Sequence, residues 1–290
     1  MIIDTHVHIW DLQRSAYNWL KQAPEVLHSN HALSDLEDER KATSVSGGVL
    51  VQADNTLEDT ALMFEAAKSN SWIKGVVGWL PLTDPSATEK LLKHFMQEQI
   101  FFKGVRHLIH DEPDAAWLLQ PAVIDSLKIL AEYRIPYDFV GVKTEHIQTA
   151  LKVAQRVPNL KMVFDHLNQP PITADLNGSE WASLMAEAAQ HDQFYAKISG
   201  LGTVAGKEFF TVENIKPFVT FVLSIFGTNR CFLGGDWPVS LLAANYTTTW
   251  ALYQQLIEAI LPDEEERERV YSKNAVSFYN LNPSLTESGS

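Results

Sequence analysis

Two rhythms of apolar residues alternate along the chain. Short apolar runs bounded by turn residues predict strands over 1–7, 47–53, 73–80, 102–108, 136–140, 160–164, 194–198 and 230–233. Between them, apolar residues recur every three or four positions, which predicts helices over 33–43, 56–70, 86–99, 116–134, 143–156, 180–191, 212–226 and 243–261. Ser34 followed by Glu37 has the spacing of a capping box, and Pro158 and Pro262 each stand just past a helical stretch, where they stop it. Eight strands each followed by a helix predict a parallel sheet closed into a (β/α)8 barrel. An open doubly wound sheet, the structural alternative, would carry a glycine-rich turn after the first strand, and none is present. With no internal repeat or Pro/Gly-rich linker, residues 1–282 form one expected domain. An extra C-terminal helix covers 263–279, its acidic run 263–269 forming a solvated face, and a flexible tail covers 283–290.

Composition narrows the function. The 290 residues carry a net charge of −13, which opposes binding to nucleic acid and to anionic lipid. Cys231 is the single cysteine, so no intramolecular disulfide or CxxC site can form, and its apolar strand predicts a buried, inert thiol. No apolar run approaches the roughly 20 residues of a membrane span. The N-terminal residues lack the basic start and apolar core of a signal peptide, so the expectation is a soluble, cytosolic protein. Oligomeric state is not legible; a homo-oligomer is compatible with the sequence.

Candidate chemistry gathers at predicted strand ends. In Asp4-Thr-His-Val-His8, strand alternation points His6 and His8 the same way, while Thr5 and Val7 face the other. At the C-terminal end of the first barrel strand they would face the mouth, able to ligate a metal or donate to an oxyanion. The eighth strand ends in Gly234-Gly-Asp-Trp-Pro238, placing the Asp236 carboxylate at the mouth unless it merely caps the next helix. Asp165 and His166 end the sixth strand, one expected toward the mouth and the other toward the helices. Arg106 and His107 are neighbours on the fourth strand and so face opposite sides; either suits substrate binding, with a salt bridge from Arg106 to Asp111 or Glu112 as the structural alternative. Lys197 lies on the seventh strand, able to bind substrate or pair with a barrel acid. Trp10, Tyr17, Trp19 and Trp237 are candidates for stacking on a ring, and also candidates for the core. Of the remaining histidines, His28 and His31 are the best placed for substrate, while His94, His110, His146 and His191 have no partners at metal spacing.

Taken together, Asp4-Thr-His-Val-His-Ile-Trp-Asp11, Lys103-Gly-Val-Arg-His107, Asp165-His166 and Gly234-Gly-Asp-Trp-Pro238 resemble the metal-independent lactonase branch of the amidohydrolase superfamily. The resemblance runs from the first residue to about Leu281, where Asn274-Ala-Val-Ser-Phe-Tyr279 looks like the family's closing helix. It implies a distorted (β/α)8 barrel and hydrolysis of a small lactone such as an aldonolactone. Asp236 is implied to take a proton from the attacking water, with His6, His8 and His166 polarising the carbonyl; Arg106, His107, Lys197, Trp10 and Trp237 are the substrate-binding candidates. Strand five, Tyr137-Asp-Phe-Val140, lacks the histidine that binuclear members supply, so no metal is expected to be required. A single divalent ion such as zinc on His6, His8, His166 and Asp236 is the alternative. That alternative would make the protein a zinc-dependent decarboxylase or hydrolase of a small carboxylic acid.

Overall fold

Eight parallel strands, hydrogen-bonded in sequence order, build the interior of the protein: β1 (Ile2–Val7), β2 (Val45–Val51), β3 (Ile73–Gly78), β4 (Phe102–His107), β5 (Tyr137–Phe139), β6 (Met162–Phe164), β7 (Phe194–Ile198) and β8 (Cys231–Leu233). The structure is a computed structural model and describes residues 1–282; the tail expected at 283–290 lies outside the described residues. The strands are buried on both sides, as a parallel sheet covered by helices requires. Around them stand α1 (Leu33–Lys41), α2 (Leu57–Ser69), α3 (Pro85–Glu98), α4 (Pro121–Glu132), α5 (Thr144–Arg156), α6 (Glu180–Ala189), a short α7 (Leu201–Ala205), α8 (Val212–Phe226) and α9 (Tyr246–Ile260). This is the expected (β/α)8 barrel in one domain. Among the described residues no helix is long and apolar enough to cross a membrane.

The seam between β8 and β1 explains why the barrel is distorted. No regular ladder joins them; Val7 and Trp237 form a single bridge. Instead the Thr5 hydroxyl donates to the Leu233 carbonyl at 2.6 Å, and the Gly235 and Asp236 amides donate to Asp4 Oδ1 and the His6 carbonyl, each at 2.7 Å. Gly235 is needed here, because a Cβ would fall 2.6 Å from Asp4 Oδ2. The β1–β2 register also shifts between Asp4 and Val7. Asp4 consequently turns to the Tyr246 hydroxyl of α9, which donates to it at 2.9 Å, and His6 turns inward.

Local signals set most boundaries, and three expectations are corrected. The 33–43 helix begins after Ala32, whose amide donates to the Asp35 carboxylate, so Ser34 lies inside α1 and caps nothing. The 116–134 stretch divides into a 3-10 turn at Trp117–Leu119 and α4, because Pro121 pushes Gln120 to an extended ψ of 138°. The final helix is interrupted: α10 (Glu264–Glu268) and α11 (Asn274–Phe278) flank a π-helical turn at Arg269–Lys273. Asp263 caps α10, and none of its residues is buried, as the solvated acidic face required.

That last segment closes the barrel floor. Ala275, Phe278, Tyr279 and Leu281 pack against the inward side chains Ile3, Val49, Val77, Val163 and Phe232. Above this apolar layer the interior turns polar, and the candidate site begins.

Candidate active site

Asp236 stands at the centre of a cluster of imidazoles on the C-terminal side of the barrel. Its Oδ1 lies 3.5 Å from His8 Nε2, 3.7 Å from His6 Nε2 and 3.8 Å from His166 Nε2. The strained backbone of the loops puts two of these groups there. Asp236 has φ 60°, and His166, Leu167, Asn168 and Gln169 run at φ 54°, 52°, 52° and 51°, a left-handed turn of four non-glycine residues. Left-handed geometry costs such residues about 1–2 kcal/mol each. The turn is held by the Trp181 indole N–H on the Leu167 carbonyl at 2.9 Å and by the Asn168 amide on the Lys143 carbonyl at 3.2 Å. Opposite it, Gly200 (φ 60°) leaves the room: a Cβ there would lie 2.4 Å from His166 Nδ1 and 2.9 Å from Asp236 Oδ2. Both Asp165 and His166 therefore serve the interior, and the expectation that they would face opposite sides fails because the left-handed turn breaks the strand alternation.

Beneath the imidazoles lies a buried layer of charge. The fully buried Lys197 ammonium donates to Asp138 Oδ2 at 2.6 Å, pairs with Asp165 Oδ1 at 2.8 Å and approaches His6 Nδ1 at 3.3 Å. Arg106 donates to Asp165 Oδ2 at 3.1 Å and to the Gln52 carbonyl, and its Nη1 is 3.2 Å from His6 Nε2. From the floor, the Tyr279 hydroxyl donates to Asp138 Oδ2 at 2.6 Å. Burial works to raise the Asp165 carboxyl, but Lys197, His6 and Arg106 overcome it and hold the group well below the usual carboxylate range. Asp138 goes the other way: burial, reinforced by Asp165 and only partly offset by Lys197, pushes it up to about 6.

His6 and His8 are tuned toward neutrality. Burial, assisted by Lys197 and opposed by Asp165, drives His6 well below the ordinary imidazole value. Burial, against the pull of Asp236, also lowers His8. Neutral His8 gives its Nδ1 proton to the Val51 carbonyl at 2.7 Å, which leaves a lone pair on Nε2, 3.1 Å from His6 Nε2. The donor set fits a single divalent ion. His6 Nε2, His8 Nε2 and Asp236 Oδ1 stand 3.1–3.7 Å apart, close to the roughly 3.3 Å edge of a zinc coordination tetrahedron. His6, His166 and Asp236 likewise bring one ligand atom each within 4.8 Å of one another.

A cavity of about 220 Å³ opens onto this cluster, lined by His8, Arg106, His166 and Asp236 among others. The other sequence candidates fall elsewhere. His107 faces out of the barrel, accepting from the Trp79 indole at 3.0 Å, meeting Glu112 at 2.8 Å and stacking on Trp117 at 4.0 Å. Arg106 accordingly pairs with Asp165 and not with Asp111 or Glu112. Lys197 lies under the cavity and Trp10 beside it: the Trp10 indole donates to the Ser29 carbonyl, and its ring packs edge-on against Trp19 and His31. Trp237 packs edge-on against His31 as well. His28 bonds the Ala23 carbonyl and His31 supports the tryptophans, so neither reaches the cavity. Tyr17 donates to the buried Asp59. Cys231 is buried as expected, its thiol pushed up to about 12.

Trp19 alone of the four aromatics lines the cavity, and His110 and Gln169 line it unannounced by the sequence. Nothing in the spacing of His110 and Gln169 marked them, since His110 stands in a short 3-10 turn after β4 and Gln169 ends the left-handed turn after β6.

The amidohydrolase family model matches residues 3–281. The chain belongs to that family. This amidohydrolase-family enzyme is 30% identical over 283 residues to the L-fucono-1,5-lactonase of Burkholderia ambifaria, a match covering 96% of this chain and 95% of that protein. It is 25% identical to the L-rhamnono-gamma-lactonase of Scheffersomyces stipitis, covering 97% and 98% of the two chains. Among solved structures it resembles an amidohydrolase from Burkholderia multivorans crystallised with bound zinc. That comparison has a TM-score of 0.87 and 26% identity, and covers 97% of this chain and 100% of that one.

Proposed function

We propose that this enzyme hydrolyses a small lactone, with aldonolactones of the kind named for its relatives as the first substrates to test. The observation that carries the reading is the Asp236 carboxylate set 3.5–3.8 Å from three imidazole nitrogens, beside the cavity. An attacking water fits between two acceptors, Asp236 Oδ1 and the His8 Nε2 lone pair. Asp236 takes its proton as the oxygen adds to the ester carbonyl. Two donors face the developing oxyanion. Arg106 brings a fixed positive charge, and His166 brings its Nε2 proton, because Ser199 Oγ lies 2.9 Å from Nδ1 and directs the tautomer. Collapse of the tetrahedral adduct breaks the acyl–oxygen bond, and the ring alkoxide recovers the proton from Asp236. A carboxylate is a modest base, which suits an activated cyclic ester better than an amide.

A divalent ion on His6, His8, His166 and Asp236 would, when bound, add Lewis-acid polarisation and a more acidic water. The proposal does not require it, since the Arg106 guanidinium already stands 3.2 Å from His6 Nε2 as a built-in cation. The test is pH-stat hydrolysis of an aldonolactone panel after exhaustive chelation, with Asp236→Asn in parallel. Turnover should survive chelation and fall about a hundredfold or more in the variant, the scale of a general base. Turnover restored only by added metal would overturn the metal-free assignment, and an undiminished Asp236→Asn would remove the base.

A further inference from the structure

We propose that the cavity takes lactones carrying a hydrocarbon substituent, an activity distinct from turnover of polyhydroxylated lactones; the inference rests on the lactone reading above. At about 220 Å³ the cavity is smaller than the roughly 300 Å³ at which pockets for drug-sized ligands begin, so it holds a small ring and a short side chain. Its reacting groups, His8, Arg106, His166 and Asp236, account for most of its polarity. Much of the remaining wall is Trp19, Leu108, Val140, Val142, Val204 and Val239. These residues come from the segments following β1, β4, β5, β7 and β8, so apolar surface surrounds the mouth instead of forming one stripe. The one polar group among them, the Trp19 indole N–H, is already donated to the Ala53 carbonyl at 2.8 Å.

Few partners remain for substrate hydroxyls. Thr203 donates its proton to the Val239 carbonyl at 3.4 Å. That leaves the accepting oxygen of Thr203, the Gln169 amide and the buried, unpartnered Nδ1 of His110. An aldonolactone carries a hydroxyl on nearly every ring and side-chain carbon, and each one enclosed without a partner weakens binding roughly tenfold or more. An alkyl group on the carbon bearing the ring oxygen asks for no partner and gains about fourfold in binding per methylene buried. The reaction is unchanged: water adds to the carbonyl, the acyl–oxygen bond breaks, and the products are one carboxylate, one secondary alcohol and the proton that the carboxylic acid releases to solvent.

The experiment measures kcat/KM of the full chain, by pH-stat, on γ-butyrolactone and its methyl, ethyl, propyl and butyl derivatives beside a pentonolactone and a hexonolactone. The expected result is a rise of about fourfold per methylene over the first members, levelling once the cavity is full. In Val142→Thr, which keeps the side-chain shape and adds a hydroxyl, the advantage of butyl over methyl should shrink. A flat or falling alkyl series with the aldonolactones turned over would overturn the hydrocarbon assignment and leave the lactonase reading intact. Absence of turnover on every lactone would overturn both.

Discussion

Asp236 and His166 carry their side chains into the site from left-handed backbone, a conformation their residue types adopt at a cost. Neither sequence position advertises that strain. What was legible was the residue types at strand ends: His6, His8 and Arg106 converge because alternation and barrel geometry place them there, while His166 and Asp236 join them through left-handed turns just past their strands. Trp10, His107 and Trp237 do not reach the cavity, because loop paths and facing direction decide that, and neither follows from spacing. Asp59 lends itself to a pH test away from the cluster. It accepts from the Tyr17 hydroxyl at 2.8 Å and from the Ala53 amide at 3.0 Å, and burial pushes it up to about 7. Its folded value exceeds the unfolded one near 3.9, so between them the folded chain holds a proton that the unfolded chain has released. Stability from this group is complete below about pH 4 and is lost as pH rises through about 7. Urea unfolding of Asp59→Asn beside the parent at pH 5 and pH 8 should show the variant gaining ground at the higher pH; a gap that does not change with pH would contradict the burial argument.

Among the elements, the predicted strands and helices hold wherever an apolar rhythm met a cap or a proline, as at Thr56, Ser179 and Thr211, each accepting from the amide three residues on. The rhythm could not show that α7 would form after β7, since five residues carry too little period to read. Nor could it show that β5, β7 and the turn after β6 bring Asp138, Lys197 and Asp165 into one layer, because how strands sit side by side is a tertiary fact. Lys197 is the keystone of that layer. In Lys197→Met, two buried carboxyls lose their shared cation, and chemical denaturation should report a loss of about 3–5 kcal/mol. A variant as stable as the parent would mean that Arg106 and Tyr279 suffice without it.

For the molecule as a whole, the barrel is sealed twice: at the seam by β1 against the segment after β8, and at the floor by α11. Removing residues 263–282 would expose Ile3, Val49, Val77 and Phe232 at the open end and strip Asp138 of its phenol donor. The shortened chain should lose cooperative urea unfolding and bind a hydrophobic dye, as loosely packed states do. Full cooperativity in that chain would show the helix to be an accessory.

The floor plug also sets an order of events at birth. The residues that seal the barrel floor are translated after every side chain of the candidate site, and Tyr279 reaches the same buried acid as Lys197, which was made long before. While the chain is still tethered to the ribosome, Asp236 and its imidazoles can already be outside, yet the lower end stays open to water. Maturation of the interior therefore waits for α11 to emerge, and a nascent chain stalled just short of it would hold every side chain of the candidate site in an unfinished vessel.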